Sequence, residues 1–78
     1  MDKLYIVIES MDARDGGHEV EVHGCYFDKA KALECMQRKA KECQEKFEAD
    51  IEQGDDWFNV IHGETYFVFE IKEGTIYP

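Results

Sequence analysis

The sequence of 78 residues predicts an α+β fold, a two-layer sandwich in which one long helix lies on one face of an antiparallel sheet. One stretch, residues 27–53, places apolar residues in steps of three and four, which is the repeat of a single helix face. The segments on both sides of it alternate apolar and polar residues with a period of two, as half-buried strands do. We therefore expect a single domain with four strands, or five if the C-terminus adds one, in the order β-β-α-β-β.

The residues before the helix are predicted to form a β-hairpin. Lys3–Glu9 and Glu19–Phe27 both alternate and are rich in the β-branched and aromatic residues that strands favour. The segment between them, residues 11–18, contains Gly16-Gly17, which is typical of a chain reversal. Two strands joined by a short glycine-containing loop are expected to pair in the antiparallel direction.

The helix is predicted to cover residues 28–53. Asp28 is the expected N-cap, because its short side chain can accept a hydrogen bond from a free N–H group of the first turn. Gly54 is the expected end, because glycine adopts the left-handed conformation of a C-cap at little cost. Cys35 lies outside the apolar stripe and is expected to be exposed. The residues expected to face the sheet are Leu33, Met36, Ala40, Cys43, Phe47 and Ile51.

After a turn at residues 54–56, the chain is predicted to add a second hairpin. Trp57–His62 and Thr65–Lys72 are the expected strands, with a tight turn at Gly63 between them. A further turn after the second of these strands would make residues 75–77 a short fifth strand. Strands therefore precede and follow the helix, as an α+β sandwich requires.

The alternation assigns the strand residues to the two sheet faces. The strand at residues 57–62 is ambiguous, and we place Phe58 and Val60 inward because the other register would bury Asn59, which would need a partner. The row expected to face the helix consists of Leu4, Ile6, Ile8, Val20, Val22, Phe58, Val60, Phe67, Phe69 and Ile71. The row expected on the other face consists of Tyr5, Val7, Glu9, Glu19, Glu21, His23, Trp57, Ile61, Tyr66, Val68 and Glu70. Since one helix covers only one face, we interpret the second row either as a binding surface, a homodimer interface included, or as an ordinary solvated sheet.

The charge balance indicates the kind of partner. Eighteen acidic residues stand against nine basic ones, and the net charge is −9. Such a surface repels phosphate backbones, so we expect no direct nucleic-acid binding and instead expect a protein partner with a basic surface. No apolar run approaches the ~18 residues that span a membrane, no signal peptide is evident, and three cysteines exclude a complete disulfide framework. These features predict a cytoplasmic protein that does not bind membranes.

The sequence contains no motif for catalysis or cofactor binding. Gly16-Gly17 precedes a strand and not a helix, so it lacks the geometry of a phosphate-binding loop. Three N/S ligands and one carboxylate could form a zinc site, but no Cys-x-x-Cys or paired-histidine spacing supports it. The residues of that set are His23, Cys25, His62 and Glu21. We therefore expect no enzymatic activity, no catalytic residue, no cofactor and no metal.

Acidic residues are concentrated at the C-terminal end of the predicted helix and in the turn after it. This distribution is unfavourable for the helix dipole, which basic residues at that end would stabilise by ~0.3–1 kcal/mol each. Local rules of this kind are broken more often where a surface is used, so we predict that these residues contact the partner. The predicted partner-binding residues are Glu45, Glu48, Asp50, Glu52, Asp55 and Asp56, together with Trp57, Tyr5, Glu21 and Tyr66 on the uncovered sheet face.

The chain resembles small acidic accessory proteins of bacteriophages and mobile elements, among them anti-CRISPR proteins. The resemblance lies in the layout: a short acidic chain, an initial hairpin ending in Gly-Cys-Tyr-Phe-Asp-Lys-Ala-Lys-Ala-Leu, one helix and a closing hairpin. It implies an inhibitor in the host cytoplasm that presents acidic side chains, in some cases as a nucleic-acid mimic, to the basic channel of a host protein. Two alternatives stay open: a homodimeric structural or regulatory domain, and a sensor of a metal or small ligand.

Overall fold

A computed structural model of the chain describes residues 2–13 and 16–76. These residues form one helix and five strands: α1 (Lys29–Phe47), β1 (Asp2–Asp12), β2 (His18–Tyr26), β3 (Asp50–Gln53), β4 (Trp57–His62) and β5 (Thr65–Ile76). The strands make one antiparallel sheet in the order β2-β1-β5-β4-β3, and α1 packs against one of its faces. The predicted α+β class, with one helix on an antiparallel sheet, is confirmed, and the element order is β-β-α-β-β-β.

The two longest strands, β1 and β5, lie side by side in the centre of the sheet. Their register extends over the full length of β1, and residues 65–76 form one continuous strand. The prediction of a turn at residues 73–74 with a separate strand after it is therefore wrong for the described residues. Tyr77, the last residue of that predicted strand, lies outside them. The physical reason is that β1 supplies a partner for every residue in this part of β5, so the chain gains backbone hydrogen bonds by staying extended.

The fifth strand comes instead from the end of the predicted helix. α1 ends at Phe47 and not at Gln53: Glu48 adopts the left-handed conformation (φ 51°, ψ 45°), and its N–H group bonds back to carbonyl groups of the last turn. Residues 50–53 then pair with β4 as the edge strand β3. Ile51 continues the apolar spacing of the helix, but it also fits the alternation of a strand, so its spacing did not distinguish the two structures.

Glu48→Gly is expected to stabilise the protein, because glycine adopts the left-handed conformation without the steric strain of a Cβ atom. The gain should be about 1 kcal/mol, measured as a higher midpoint of urea unfolding at unchanged slope. Glu45→Gly is the matched control: it lies inside α1, where the same change should cost about 1 kcal/mol. If both substitutions destabilised the protein to a similar degree, the helix would continue beyond Glu48.

Gly54 closes the turn between β3 and β4 and does not cap the helix. Its N–H group donates to the carbonyl group of Trp57 at 3.0 Å. The indole ring of Trp57 lies against the Cα atom of Gly54, in the space that a Cβ atom would fill. Glycine is therefore needed at this position for the close approach of a side chain and not for a positive φ angle.

α1 begins as predicted and presents most of the predicted face to the sheet. Asp28 is the N-cap, and its side chain accepts a hydrogen bond from the N–H group of Ala30 at 2.9 Å. Cys35, however, is only 2% exposed, so the expectation of an exposed thiol is wrong. The helix lies on a broad sheet, and side chains beside the central stripe also reach it. The buried residues of α1 are Ala32, Cys35, Met36, Ala40 and Cys43, with Leu33 and Phe47 half-buried beside them.

Strand β1 faces the opposite way from the prediction. Val7 is completely buried, and Tyr5 and Met11 pack against the core, so the odd-numbered row faces α1. In the register with β5, Val7 lies opposite Ile71 and Met11 opposite Phe67, and both of these belong to the core layer. The residues of β1 that were predicted to face the helix lie on the other side: Leu4, Ile6 and Ile8. Both rows of β1 are apolar, so the alternation alone did not choose between them.

A β-bulge divides β2 into two halves of opposite phase. The register with β1 slips by one residue at His23, which has no direct partner although its neighbours on both sides are paired. Val20 and Val22, before the bulge, lie on the face away from α1 and are 58% and 57% exposed, against the prediction. Glu21 and His23 lie on the α1 side, also against the prediction, whereas Tyr26, after the bulge, packs against the core.

In β4 and β5 the row of residues that faces α1 is the predicted one. Their inward row supplies most of the sheet's contribution to the core: Phe58, Val60, Phe67, Phe69 and the half-buried Ile71. The tight turn at Gly63 is also present, and Gly63 has a positive φ angle of 60°, which glycine adopts without strain. The aromatic hairpin β4–β5 is thus the part of the sheet that the sequence pattern described correctly.

Candidate functional site

The sheet face opposite α1, which we call the open face, carries four of the five exposed large apolar side chains of the described residues. Besides Phe27, the most exposed large apolar side chains all lie on it: Val20 (58%), Val22 (57%), Tyr66 (51%) and Trp57 (37%). No described element packs against this face. Its apolar members come from four strands and are Leu4, Ile6, Ile8, Val20, Val22, Trp57, Ile61, Tyr66 and Val68.

Acidic side chains border the open face on its β3 side. Asp50 and Glu52 flank Ile51, which packs against the core, so both carboxylates lie on the open face of the edge strand. Glu70 lies on the same face of β5, and Lys72 is 3.4 Å from its carboxylate. The face therefore combines apolar side chains with two acidic groups at its β3 edge and one further acidic group, beside Lys72, on the central strand β5.

The structure separates the residues that were predicted to bind a partner. Four lie on the open face: Asp50, Glu52, Trp57 and Tyr66. Four lie at the C-terminal end of α1 or in the β3–β4 turn: Glu45, Glu48, Asp55 and Asp56. Two lie on the α1 side of the sheet, against the prediction: Tyr5 and Glu21. The continuous acidic helix end does not form, because Asp50 and Glu52 belong to β3.

The aliphatic residues of β1 and β2 lie on the open face, although their alternation predicts that they face the helix. The polar residues beside them, among them Glu9, Glu21 and His23, suggested that the other row of each strand met solvent. In the structure these polar residues lie on the α1 side at the edge of the sheet, where they line a groove. The sequence does show Leu4, Ile6 and Ile8 as an apolar row of one strand. That pattern predicts a row buried beneath the helix and not an uncovered surface.

The groove lies between β2 and the second half of α1, and we call it the β2–α1 groove. It encloses about 390 Å³ and has a charged wall on each side. Its strand wall consists of Glu9, Met11, Glu19, Glu21, His23 and Phe67. Its helix wall consists of Lys39, Glu42, Cys43, Lys46 and Phe47. The groove is thus distinct from the open face, because the sheet separates the two.

The central feature of this groove is a hydrogen-bonded pair. The Nε2 atom of His23 and the Oε1 atom of Glu9 are 2.7 Å apart, and their side chains are 12% and 18% exposed. The imidazole ring stacks on Phe69, with 6.1 Å between ring centroids and 17° between the planes. Glu21 lies close enough that one ligand atom from each of Glu9, Glu21 and His23 lies within 4.8 Å of the others.

The zinc set considered from the sequence is not brought together. Cys25 lies after the bulge and pairs with Ile6, so it belongs to the open face and is exposed. His62 is at the end of β4, where its ring packs against Phe47 with 5.1 Å between centroids. Of that set, only His23 and Glu21 lie close together. The bulge places His23 and Cys25 on opposite faces of the sheet.

Cys43 lines the same groove as a protonated thiol. Burial raises the pKa of this thiol to about 11, and the negative charge of Glu9 adds to the effect. Thiolate is the nucleophilic form of cysteine, so at neutral pH Cys43 has little of it. We therefore infer that Cys43 serves as a packing residue of the hydrophobic core.

The three thiols are expected to differ in their rates of modification. Cys25 is exposed, whereas Cys35 and Cys43 are buried, so a thiol reagent at pH 8 should modify Cys25 first and the other two only on unfolding. Mass spectrometry of the native protein, sampled over time, measures the order. Cys25→Ser should then leave a native protein that takes up reagent only slowly. Fast modification of Cys35 in this variant would contradict the burial of the helix face.

Comparison with known proteins gives no match: no family model fits the chain, and no curated protein or solved structure is similar to it. Within the described residues, no helix is both long enough and apolar enough to cross a bilayer.

Proposed function

We propose that this chain is a non-enzymatic interaction domain that binds a basic protein on its open face. The observation that carries the proposal is the uncovered apolar surface of that face, where Val20, Val22 and Tyr66 are each more than half exposed. Contiguous exposed apolar surface with a polar border is typical of protein interfaces. The one described helix is fully engaged on the opposite face of the sheet.

Charge supports the choice of a basic partner. The chain has a net charge of −9, Asp50 and Glu52 lie at the β3 border of the open face, and Glu70 lies on its central strand β5. A partner with lysine or arginine around an apolar centre would be attracted over long range and would pair with these groups on contact. A second copy of the chain would instead bring like charges together, which disfavours a homodimer through this face.

The class of partner that we propose is a nucleic-acid-binding protein whose basic channel is blocked by this domain. Such a channel contains the basic side chains that the acidic border requires. Binding there would compete with the nucleic acid, so the domain would act as an inhibitor, as the resemblance to anti-CRISPR proteins implies. The aromatic groups Trp57 and Tyr66 would serve as anchors, since aromatic residues are enriched among the energetically dominant contacts of interfaces.

A photo-crosslinking amino acid at Tyr66, compared with one at Gln37 on the exposed side of α1, tests the location of the interface. We expect the open-face probe to crosslink a basic protein in extracts of the cell that produces the chain, and the helix probe to give no product. The purified partner should shift the fluorescence of Trp57, the only tryptophan, and duplex DNA or RNA should displace the domain. A partner that crosslinks only from position 37 would overturn the proposal.

The Val20→Ser/Val22→Ser variant tests the apolar part of the interface that lies on the edge strand β2. Both side chains are exposed, so the variant should fold normally and bind the partner at least tenfold more weakly. Gln37→Ser is the matched control and should bind like the parent. Light scattering of the free protein tests self-association: a dimer that the double variant dissociates would show that the open face pairs with itself.

A further inference from the structure

We infer that Glu9, Glu21 and His23 form a binding site for a divalent transition-metal ion, with zinc as the best fit, in the β2–α1 groove. This inference does not depend on the proposed function, because the groove and the open face lie on opposite sides of the sheet. It differs from the set that the sequence suggested, since Glu9 of the central strand β1 takes the place of Cys25 and His62.

The donor set is the first argument. One imidazole nitrogen and two carboxylate oxygens lie within 4.8 Å of one another. Zinc binds such groups at ~2.0–2.2 Å, which places donors of one tetrahedral shell roughly 3.3–3.6 Å apart. An ion would widen the 2.7 Å separation between His23 and Glu9 slightly, and rotation of the exposed Glu21 side chain would complete the set. Imidazole favours zinc and similar transition metals over magnesium and calcium, which prefer sites made of oxygen alone.

The placement of Glu9 is the second argument. It lies on the α1-facing row of β1, between the buried Val7 and the half-buried Met11, where a carboxylate costs free energy unless it is compensated. Its side chain is 18% exposed, and within the described residues its hydrogen-bond partner is His23. A divalent cation bound between the two would compensate the carboxylate more completely than a hydrogen bond to the imidazole does.

The orientation of His23 is the third argument. Its ring is held by stacking on Phe69 and by the β-bulge, so the nitrogen that would bind the metal is already directed at Glu9. Ligands with fixed rotamers bind a metal with less loss of conformational entropy than mobile surface side chains do. Glu21 is exposed and closes the set from the solvent side, which leaves further coordination positions to water or a small ligand.

Titration calorimetry with zinc, in a Cys25→Ser background that removes the exposed thiol, is the test. We expect one zinc ion per chain and a higher melting temperature in its presence. Glu21→Gln should weaken zinc binding at least tenfold without loss of the fold, because this side chain is exposed. Glu19→Gln is the matched control: it removes the same charge from the same strand and groove but lies outside the donor set, so it should bind zinc like the parent.

Two further measurements make the result decisive. Cobalt in place of zinc should give the visible absorption of a site with nitrogen and oxygen ligands, and His23→Gln should abolish it while circular dichroism confirms the fold. Magnesium at the same concentration should not displace zinc. If Glu19→Gln and Glu21→Gln lost zinc affinity equally, the result would show only diffuse attraction of cations to an acidic protein. That result, or the absence of saturable zinc binding by the parent, would overturn the inference.

Discussion

Val7→Asp is expected to unfold the domain. Val7 is completely buried in the centre of the sheet beneath α1, and an aspartate there would be an unpaired charge in an apolar environment. The cost should be on the order of 3–5 kcal/mol or more. A domain of this size has a free energy of unfolding of roughly 4–12 kcal/mol, so this cost would remove a large part of its stability. Circular dichroism and urea unfolding measure the effect.

Ile8→Asp is the matched control for this substitution. It is the next residue of the same strand and a similar aliphatic side chain, but it lies on the open face and is only half-buried. We expect this variant to fold with a smaller loss of stability, because water reaches the carboxylate. If Ile8→Asp unfolded the protein and Val7→Asp did not, β1 would face the way that the sequence pattern suggested.

Phe69→Ala is expected to cost about 3–5 kcal/mol, the second large effect. Phe69 is completely buried and is among the largest fully buried side chains of the domain. It also supports the ring of His23, so its loss should disturb the β2–α1 groove as well as the core. Thermal and urea unfolding measure the loss of stability.

Phe47→Ala provides the comparison within the same aromatic cluster. Phe47 was predicted to be buried against the sheet; it stacks on Phe67 with 5.2 Å between centroids but is only half-buried at the end of α1. We expect its loss to destabilise the protein less than that of Phe69, because transfer and cavity terms both scale with burial. A larger effect at Phe47 would indicate that the end of α1 is more deeply packed than the structure places it.

The elements that the sequence predicted correctly share a property: each is specified by local chemistry. Asp28 caps the helix through its own side chain, and the turn at Gly63 uses the conformational freedom of glycine. In β5, Glu70 and Lys72 flank Ile71, so the row that contains Phe67, Phe69 and Ile71 was correctly assigned to the inward face. In these segments one local arrangement is clearly more favourable than the others.

The elements that were predicted incorrectly have two locally acceptable solutions. Ile51 fits both a helix face and a strand, and pairing with Val60 of β4 selects the strand. In β1 both rows are apolar, and only the register with β5 decides which row meets α1. In β2 the bulge at His23 changes the phase within a single strand, and no local feature of the sequence requires it there.

The candidate sites show the same division. Tyr66 could be assigned to the uncovered face from the alternation of β5, and Trp57 from that of β4 together with the cost of burying Asn59 without a partner. The convergence of Glu9 with Glu21 and His23 could not, because it depends on the pairing of β1 with β2 and on the bulge between them. Site residues on one strand are visible in a sequence, whereas a site made across strands depends on their register.

By itself, the sequence determined the α+β class, the helix with its N-cap, the aromatic hairpin and the strongly negative charge, because composition and local periodicity specify each of these. The tertiary structure alone decided where the helix ends, which face of β1 and β2 is covered, and which polar groups meet in the β2–α1 groove. These choices depend on backbone pairing between segments far apart in the chain, β1 with β5 above all. Pairing of this kind adds hydrogen bonds and buried area that a local pattern does not contain, so it can select either of two conformations that are locally equivalent.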